Sequence, residues 1–551
     1  MVEKTEGLNL LILSVVLTGF VGLLFHLYNG VLLKPKKLRL KLQNQGIKGP
    51  CPSFLYGNIH EMKRIQLQAL STAKSAHKDL KPDFSHHWFP TLFPYLDKWR
   101  NEYGSMFLYS TGNLQLLCTT DMEMVKEIGL HKSLSLGKPS YLTKDRGPLL
   151  GQGILSSSGP IWSHQRKIIA PEFFPDKVKG MVNLMVDATI SMLKSWESRV
   201  EWEKGILEII VDEDLRNLSA DIISRACFGS NYSKGEEIFS KLKALQMAMA
   251  KTYIGIPGMR YLPSKNNREI WKLEKEIDSL ILSVVNHRTE EATHGKDLLQ
   301  MILDGAETYD DYKGLSKERF IVDNCKNMYF AGYETTATTL SWTLMLLAAS
   351  PDWQARVRAE VLETCKDGFL PDANALRNMK TLTMVILETL RLYPPATFVI
   401  RLALEDIDFK GIMIPKDMNI QIPIPALQQS LQLWGPDAHQ FNPERFANGI
   451  VEACKVPQAY MPFEDVANIK HEVQQPDKKL EDLKVEIKSE LKGFLNLMTK
   501  GDLFSDKGKS PAESSVTGVG ASAKSPFSIE PNALPLTIGR SCADGPLFLW
   551  G

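Results

Sequence analysis

The chain has 551 residues, of which 44% are hydrophobic and 23% are charged, and its formal net charge is only +1. This length is enough for one large domain or several, and the apolar fraction is ample for a buried core. The balance of charge gives no extended positive or negative field, which argues against a nucleic-acid-binding protein and against a strongly acidic partner.

The cysteines are spread singly along the chain, with no CxxC pair and no zinc-ligand spacing. This distribution is typical of a protein in a reducing compartment, in which most thiols serve as small core residues. The cysteines are Cys51, Cys118, Cys227, Cys325, Cys365, Cys454 and Cys542.

The N-terminus is almost continuously apolar from residue 8 to residue 33 (LNLLILSVVLTGFVGLLFHLYNGVLL). About 20 apolar residues span the hydrocarbon core of a bilayer, so the length is sufficient. A basic cluster follows at once, and positive charge stays on the cytosolic side. We therefore predict a single transmembrane anchor over residues 1–33, with the body in the cytosol; the alternative is a buried core helix. The basic residues are Lys34, Lys36, Lys37, Arg39 and Lys41.

Residues 34–52 are predicted to form a stiff spacer between the membrane and the body. After the basic cluster they contain Gly49, Pro50 and Pro52. Proline fixes φ and pushes the preceding residue into an extended conformation, which keeps such a segment out of a regular helix.

Residues 53–463 are predicted to form a mainly helical body with a small β region. Long segments of helical periodicity cover residues 176–202 and 317–349, and they are separated by Pro and Gly breaks. Strand signals are shorter and cover residues 106–119 and 407–415, the second with the pattern of a hairpin around a glycine. No GxGxxG or Walker motif supports a nucleotide-binding fold.

The segment AGYETTA lies in the middle of the second helical segment, and it is unusual material for a helix interior. Threonine hydroxyls compete there for backbone carbonyls. Ala331 and Gly332 are small enough to let a flat group approach the helix closely. Glu334 beside Thr335 is an acid–alcohol pair of the kind that passes protons to a bound oxygen species. By itself, the segment is equally consistent with a polar helix face or a bend.

Two further motifs carry charged residues. ETLR places Glu388 and Arg391 three residues apart, on one face of a helix. PERF places Arg445 in a segment rich in Pro, Gly and Trp (LWGPDAHQFNPERF). Charged pairs of this kind are common on solvated helix surfaces. The alternative is a buried network of all three residues. Such a network is costly unless every polar group has a hydrogen-bond partner, and it would then fix the relative positions of the segments that it joins.

The fourth motif is an aromatic–cation pair in IWSHQRK. Trp162 and Arg166 lie four residues apart on a helical segment, where they could meet the anionic edge of a cofactor. Arg401, six residues after Pro395, is a second cation of this kind.

Together and in this order, the four motifs resemble the cytochrome P-450 superfamily, from about residue 8 to residue 463. The segments GIKGPCPSFLYGN, AGYETTA, ETLRLYPPA and FNPERF are most similar to a plant microsomal branch that includes gibberellin-modifying oxidases. The resemblance implies a mainly α-helical prism with a small β region. It also implies a haem-thiolate monooxygenase of the endoplasmic reticulum membrane that oxidises a small apolar substrate, such as a diterpenoid or gibberellin. Electrons would come from NADPH through a cytochrome P-450 reductase.

The resemblance also assigns roles to residues. Glu334 and Thr335 would serve oxygen activation. The haem would lie against the helix at Ala331 and Gly332, and its propionates would be held by Trp162, Arg166 and Arg401. Glu388, Arg391 and Arg445 would form the structural triad.

The family pattern ends abruptly after Phe463. The resemblance implies a glycine-rich loop there, with the iron-binding cysteine seven residues later, but Lys470 occupies that position. A lysine ammonium group has no lone pair to give to iron. Residues 464–551 differ in composition from the body: 478–500 predict a charged amphipathic helix, and 505–528 are rich in Ser, Gly and Lys, which predicts disorder.

Two functional hypotheses follow. In the first, the protein is a membrane-bound haem monooxygenase. Cys542, in the sequence GRSC, is then the candidate iron ligand, because this segment partly resembles the family's cysteine loop. In the second, it is a haem-free, non-catalytic membrane protein, or a splice or fusion product, whose C-terminal helix binds a partner. Lys470 favours the second hypothesis, whereas the motifs between Trp162 and Phe446 favour the first.

The anchor can be tested by deletion. We expect removal of residues 1–33 to release the chain from carbonate-washed membranes, because the remaining basic cluster can hold a membrane only by electrostatic attraction. The measurement is the share of protein in the pellet, by immunoblot. Deletion of residues 464–551 is the control and should leave the protein in the pellet. A chain without residues 1–33 that stays as firmly bound contradicts the assignment.

Overall fold

The computed structural model describes residues 13–22, 25, 28–76, 86–131, 133–202, 209–229, 232–290, 297–307, 316–365 and 370–463. Over these residues the protein is mainly α-helical, with one five-stranded sheet and one two-stranded sheet, as the sequence predicts. The predictions made for residues 464–551, including Lys470, the amphipathic helix and Cys542, lie outside the described residues.

The helices follow the periodic segments of the sequence. In chain order they are α1 (Lys34–Gln43), α2 (Ile59–Ala76), α3 (Phe89–Leu92), α4 (Pro94–Tyr103), α5 (Met122–Leu130), α6 (Ser140–Lys144), α7 (Gly147–Leu150), α8 (Gly159–Ile169), α9 (Pro175–Trp202), α10 (Val211–Phe228), α11 (Tyr232–Ala250), α12 (Lys265–Glu290), α13 (Leu298–Glu307), α14 (Lys317–Ala349), α15 (Pro351–Thr364), α16 (Ala373–Asn378), α17 (Lys380–Leu392), α18 (Ile424–Gln428), α19 (Leu431–Trp434) and α20 (Ile450–Ala453). Helices α9 and α14 confirm the two long helical segments predicted from the sequence.

The five-stranded sheet joins distant parts of the chain. Its strand order is β1-β2-β7-β4-β3, and only the β2–β7 pair is parallel. The strands, with those of the hairpin, are β1 (Met106–Thr111), β2 (Leu114–Thr119), β3 (Leu136–Gly137), β4 (Phe398–Ala403), β5 (Ile407–Phe409), β6 (Ile412–Ile414) and β7 (Asn419–Pro423). The N-terminal strands therefore frame strands that come after α17.

The predicted hairpin is confirmed as the antiparallel pair β5–β6. Its turn consists of Lys410 and Gly411, with φ values of 53° and 84°. Two-residue hairpin turns of type I′ require positive φ at both central residues, and glycine adopts this conformation without a Cβ clash.

Helix α14 carries the AGYETTA segment. It begins after Ser316, whose side chain accepts a hydrogen bond from the backbone N–H of Arg319. The helix packs on α10, α11, α12, α13 and α17. Its first half is enclosed, since every residue from 322 to 330 is buried. The AGYETTA segment therefore starts where the fully buried part of the helix ends.

Polar side chains in this buried half of α14 hold residues 151–157, the loop after α7, which we call the strapped loop. Side-chain oxygens of Asp323, Asn324 and Asn327 accept hydrogen bonds of 2.7–3.1 Å from backbone N–H groups of Gln152, Ile154 and Leu155. Buried polar groups are costly unless they are paired, and here each one is paired with the loop backbone. The contacts fix the loop on the helix.

Residues 34–52 are not the spacer that their proline and glycine content predicts. Arg39 is buried and donates through Nη2 to the carbonyl oxygen of Pro50 over 2.6 Å. The backbone N–H of Leu108 in β1 donates to the carbonyl oxygen of Lys48 over 2.9 Å. Leu42 has no exposed surface. Because the segment supplies core residues and hydrogen bonds to the sheet, it belongs to the body.

Part of the predicted anchor is described, and residues 13–22 are helical. Residues 1–12, 23, 24, 26 and 27 lie outside the described residues. Within the portion of the chain that is described, no helix has both the length and the apolar character to cross a bilayer.

The strapped loop generates a stability prediction. Gly151 has a φ of 55°, and a Cβ there would lie 2.0 Å from Cγ of Asp323. We expect Gly151→Ala to lower the free energy of unfolding by about 1–3 kcal/mol for the clash, in addition to about 1 kcal/mol for the left-handed backbone. Thermal melting of the full chain in detergent measures the change.

Gly411→Ala is the matched control, because Gly411 also has a positive φ of 84° but no atom lies within 4 Å of the added Cβ. Only the backbone cost of about 1 kcal/mol should remain in this variant. Equal melting shifts for the two variants would contradict the tight contact between the loop and Asp323.

Candidate active site

Glu388 and Arg391 form a bidentate ion pair in α17. Nε of Arg391 donates to Oε2 of Glu388 over 2.7 Å, and Nη2 donates to Oε1 over 2.8 Å. Neither side chain has exposed surface. Nη1 of Arg391 donates to the carbonyl oxygens of Gln428 and Ala438. The pair is therefore a buried network and not a solvated surface pair.

Arg445, in the 3-10 turn Pro443–Phe446, joins the same carboxylate. Its Nε donates to Oε1 of Glu388 over 3.2 Å, and its Nη2 donates to Oδ2 of Asp437 over 2.8 Å. The backbone N–H of Asn442 donates to Oε1 of Glu388 as well. Burial tends to raise the pKa of Asp437, but hydrogen bonds from Asn442 and Arg445 outweigh it and lower this pKa. The structure thus brings together the three residues of the predicted triad.

Glu334 is held by a cation of the neighbouring helix α10. Nη1 of Arg216 donates to Oε2 of Glu334 over 2.6 Å, and Nε of Arg216 donates to Oδ2 of Asp212 over 2.9 Å. Burial alone would lower the pKa of Arg216, but the attraction and hydrogen bonds of Glu334 and Asp212 raise it. Glu334 is therefore an anchored carboxylate, half-buried between two helices.

Thr335 faces a different direction from Glu334, because successive helical residues are about 100° apart. Its hydroxyl donates to the carbonyl oxygen of Ala331 over 2.8 Å. Ala331, Thr335 and Thr338 share one helix face, and all three are half-buried. The three residues form a half-buried face in the middle of α14.

Gly332 has a different neighbour from the one predicted. A Cβ on Gly332 would lie 2.5 Å from Cγ1 of Ile223 in α10. The absent side chain therefore makes room for close packing of α10 on α14, and this space is not open to a cofactor. The physical role of Gly332 is helix packing, which corrects its assignment as a cofactor contact.

The predicted propionate ligands lie on neighbouring elements. Trp162 and Arg166 are on α8, with Cζ of Arg166 5.4 Å from the centre of the Trp162 ring. Arg401 is in β4, next to β3. The backbone N–H of Lys138, directly after β3, donates to Oγ of Ser158, the residue before α8. Strand β4 and the start of α8 are thus linked through β3.

The described residues include the predicted propionate ligands Trp162, Arg166 and Arg401, but not the position at which the family resemblance implies the iron ligand. Six cysteines are described, and all precede Phe463, so none lies in the loop where the family resemblance implies the ligand. Cys454 is the last of them; it is buried, and its Sγ donates to the carbonyl oxygen of Val456. Burial raises the pKa of the Cys454 thiol, which disfavours the thiolate.

Comparison with known proteins decides the family. Residues 85–464 match the model of the family "Cytochrome P450". The chain belongs to the cytochrome P450 family. It is 54% identical over 445 residues to Cytochrome P450 714C2 of Oryza sativa subsp. japonica, covering 80% of this chain and 84% of that protein. It is 46% identical over 462 residues to Cytochrome P450 714A2 of Arabidopsis thaliana, covering 82% and 86%.

Family membership confirms the resemblance, including its plant branch, since these relatives are plant proteins. It implies a haem cofactor and monooxygenase chemistry, together with a reductase partner and a substrate. The match to the family model ends at residue 464, one residue after Phe463.

Three groups of this site were not found from the sequence. Asp437 lies only eight residues before Arg445, so its acidic side chain beside PERF was a usable signal. Arg216 and Glu334 are 118 residues apart and meet only because α10 packs on α14. Asp323, Asn324 and Asn327 of α14 carry no signal in the sequence, because their partners are backbone N–H groups, which every residue except proline has.

The Glu388 network generates a stability prediction. We expect Glu388→Ala to lower the free energy of unfolding by about 3–5 kcal/mol, because it leaves the buried guanidinium group of Arg391 without a carboxylate and removes one of the two carboxylates that pair with Arg445. Glu444→Ala is the control: Glu444 pairs with Arg356 on the surface, where such a pair contributes about 0–1 kcal/mol. Thermal melting of both variants provides the comparison. Equal melting temperatures for Glu388→Ala and Glu444→Ala would refute the buried network of Glu388, Arg391 and Arg445.

Proposed function

We propose that the protein is a membrane-bound monooxygenase that oxidises a small apolar substrate of the diterpenoid or gibberellin class at the endoplasmic reticulum membrane. The observation that carries the proposal is the half-buried face of α14 formed by Ala331, Thr335 and Thr338. It begins directly after a fully buried stretch of the helix. A polar face at this depth is consistent with chemistry on a flat cofactor and a small molecule.

When bound, haem supplies the activation of oxygen. The contribution of this chain is to hold protons nearby. The hydroxyl of Thr335 uses its hydrogen on the Ala331 carbonyl, and its oxygen keeps acceptor capacity. The carboxylate of Glu334 is paired with Arg216, so Glu334 can carry a proton only after this pair separates. We propose Arg216 as the group that controls when Glu334 takes part.

Attachment to the membrane is proposed from the apolar run of residues 8–33 and the lysines after it. The packing of α1 supports a fixed geometry for such an anchor. Lys34, its first residue, pairs with Asp417 over 2.7 Å, and Leu42 lies in the core. A transmembrane helix joined directly to α1 would therefore leave the body at one defined place.

A second function is favoured by one observation. Lys470 stands where the family resemblance implies the iron-binding cysteine, and none of the described cysteines replaces it. The alternative is a haem-free, non-catalytic membrane protein that binds a partner through residues 478–500. The two functions differ in whether the purified chain holds haem through sulfur.

The test is the absorption spectrum of the reduced, carbon-monoxide-treated full chain in detergent. The monooxygenase requires the band that gives the family its name, because this band reports thiolate ligation of the iron. If the band is present, its loss in Cys542→Ser assigns the sulfur to Cys542. A folded chain without the band refutes monooxygenase activity and supports the haem-free protein.

The control is a chimera in which residues 464–551 are replaced by the corresponding C-terminal segment of the rice relative Cytochrome P450 714C2. We expect the chimera to show the band, because the body belongs to the family and the family resemblance assigns the α14 face and the cations Arg166 and Arg401 to the haem. A chimera that folds but binds no haem would show that the body itself cannot hold the cofactor.

A further inference from the structure

A tryptophan, a tyrosine and a histidine form one connected chain of contacts beside the second half of α14. The ring centres of Trp342, on α14, and Tyr393, directly after α17, are 3.6 Å apart, and the two ring planes differ by 7°. The hydroxyl oxygen of Tyr393 lies 2.7 Å from Nδ1 of His86. Tyr393 and His86 are buried, and Trp342 is half-buried. We call these three residues the Trp–Tyr–His cluster.

The hydrogen bond between Tyr393 and His86 has a defined direction. Burial raises the pKa of Tyr393, so the phenol keeps its proton at neutral pH. Burial, together with the positive charge of Arg391, lowers the pKa of His86 to about 4, so the imidazole is neutral and one of its ring nitrogens can accept. The hydroxyl of Tyr393 therefore donates to Nδ1 of His86. The phenol proton thus points at a base.

The Trp–Tyr–His cluster begins on the half-buried face of α14. Trp342 follows Thr338 by four residues and Thr335 by seven, so all three share one helix face. Seven residues correspond to about 10 Å along the helix axis. At the other end of the cluster, the backbone N–H of His86 donates to the carbonyl oxygen of His439 over 3.2 Å, which fixes the base in place. The cluster therefore leads from this face of α14 into the body.

Indole and phenol are the aromatic side chains that lose an electron most easily. A phenol that loses an electron becomes a very strong acid, far stronger than an imidazolium ion. A base that takes the proton in the same event keeps a positive charge off the buried ring, where such a charge is costly. The nearly parallel rings of Trp342 and Tyr393 overlap face to face at a separation that suits electron transfer between them.

We propose that Trp342, Tyr393 and His86 form a redox-active site that accepts one oxidising equivalent from the half-buried face of α14. A peroxide-derived one-electron oxidant at this face takes an electron from the indole of Trp342, and the indole takes one from the phenol of Tyr393. The O–H bond of Tyr393 breaks, and its proton forms an N–H bond at Nδ1 of His86. The products are the oxidant reduced by one electron, a neutral tyrosyl radical and an imidazolium ion.

The site would protect the protein when oxygen chemistry on α14 fails to consume a substrate. This protective role rests on the proposed function, because it needs oxidants at the α14 face. The redox chemistry of the three side chains does not depend on it, since any oxidant placed on this face serves.

The test places a known oxidant on the same face. Ala349 is exposed and lies seven residues after Trp342, again on this helix face. A ruthenium polypyridine photo-oxidant is attached at Ala349→Cys in the full chain in detergent. Cys51→Ser and Cys542→Ser remove other thiols that could take the label, and the remaining cysteines are buried. Light and a soluble cobalt(III) acceptor then generate ruthenium(III), and electron paramagnetic resonance of frozen samples measures the tyrosyl radical.

Tyrosine variants identify the residue that carries the radical. We expect Tyr393→Phe to abolish the tyrosyl signal. Tyr460→Phe is the matched control: Tyr460 is also buried, but its hydroxyl donates to the carbonyl oxygen of Leu387, which cannot take a proton. This variant should keep the signal. A signal that persists in Tyr393→Phe, or that falls equally in both variants, overturns the proposal.

A histidine variant separates the base from a structural hydrogen-bond acceptor. His86→Asn keeps an acceptor near the position of Nδ1, but an amide is not a base. We expect the rate of radical formation to fall about tenfold or more, because the phenol must then lose its electron without passing its proton on. An unchanged rate in a folded His86→Asn variant would assign His86 a purely structural role and overturn the proposal.

Tryptophan variants test the path of the electron. Trp342→Phe keeps a ring against Tyr393 but not one that is oxidised easily, so the tyrosyl signal should be lost or strongly delayed. Trp88→Phe is the control, because the Trp88 ring is also parallel to that of Tyr393, within 9°, but its centre is 6.3 Å away and it is not on α14. Equal effects of the two variants contradict a path through Trp342. Melting temperatures identify the folded variants, and if Tyr393→Phe does not fold, His86→Asn decides the question.

These readouts are independent of the cofactor. A chain that forms the radical at Tyr393 but shows no haem band would refute the proposed function and keep the redox-active site. A chain that shows the haem band but forms no radical at Tyr393 would keep the function and refute the site.

Discussion

The carboxylate of Glu388 is the group on which the order of this structure depends. It accepts hydrogen bonds from Arg391, Arg445 and the backbone of Asn442, and its own side chain has no exposed surface. Each donor comes with a different part of the chain, so one buried negative charge fixes a helix, a turn and an irregular segment relative to one another. Low local polarity strengthens these contacts and makes any incomplete version of the network costly. Such an arrangement specifies one geometry and tolerates few others.

Buried polar groups of helix α14, both neutral and charged, are likewise hydrogen-bonded to neighbouring segments. Asp323, Asn324 and Asn327 satisfy backbone N–H groups of the strapped loop, and the loop in turn covers them from water. Arg216 does the equivalent for Glu334 from α10. The helix is thus positioned by polar contacts in its buried half and leaves a half-buried face in the next turns. Asn324 and Asn327 share one helix face with Ala331, Thr335 and Thr338, so these polar contacts lie on the same side of α14 as the half-buried face and precede it along the helix.

The parts of the fold and the site that could be predicted from the sequence are those with local signatures. The periodicity of α14, the Lys410–Gly411 turn and the spacing of Glu388 and Arg391 are encoded over a few residues, and the structure has them where the patterns place them. Gly332 could not be interpreted correctly, because its neighbour Ile223 is distant in sequence. For the same reason, composition described residues 34–52 as a spacer although they pack on the sheet. Local patterns report local conformation, whereas neighbours depend on packing across the whole chain.

The position of the Glu388 network in the sequence has a consequence for how the protein can change in evolution. Its side chains and backbone partners lie between residues 388 and 445, ahead of the point at which the family match ends. A change to the sequence after Phe463 therefore replaces none of the residues that form the hydrogen bonds of the Glu388 network. Mutation and recombination can exchange the end of the gene while the body keeps its architectural support. A change confined to the C-terminal segment can therefore alter that segment without altering the residues that hold the body together.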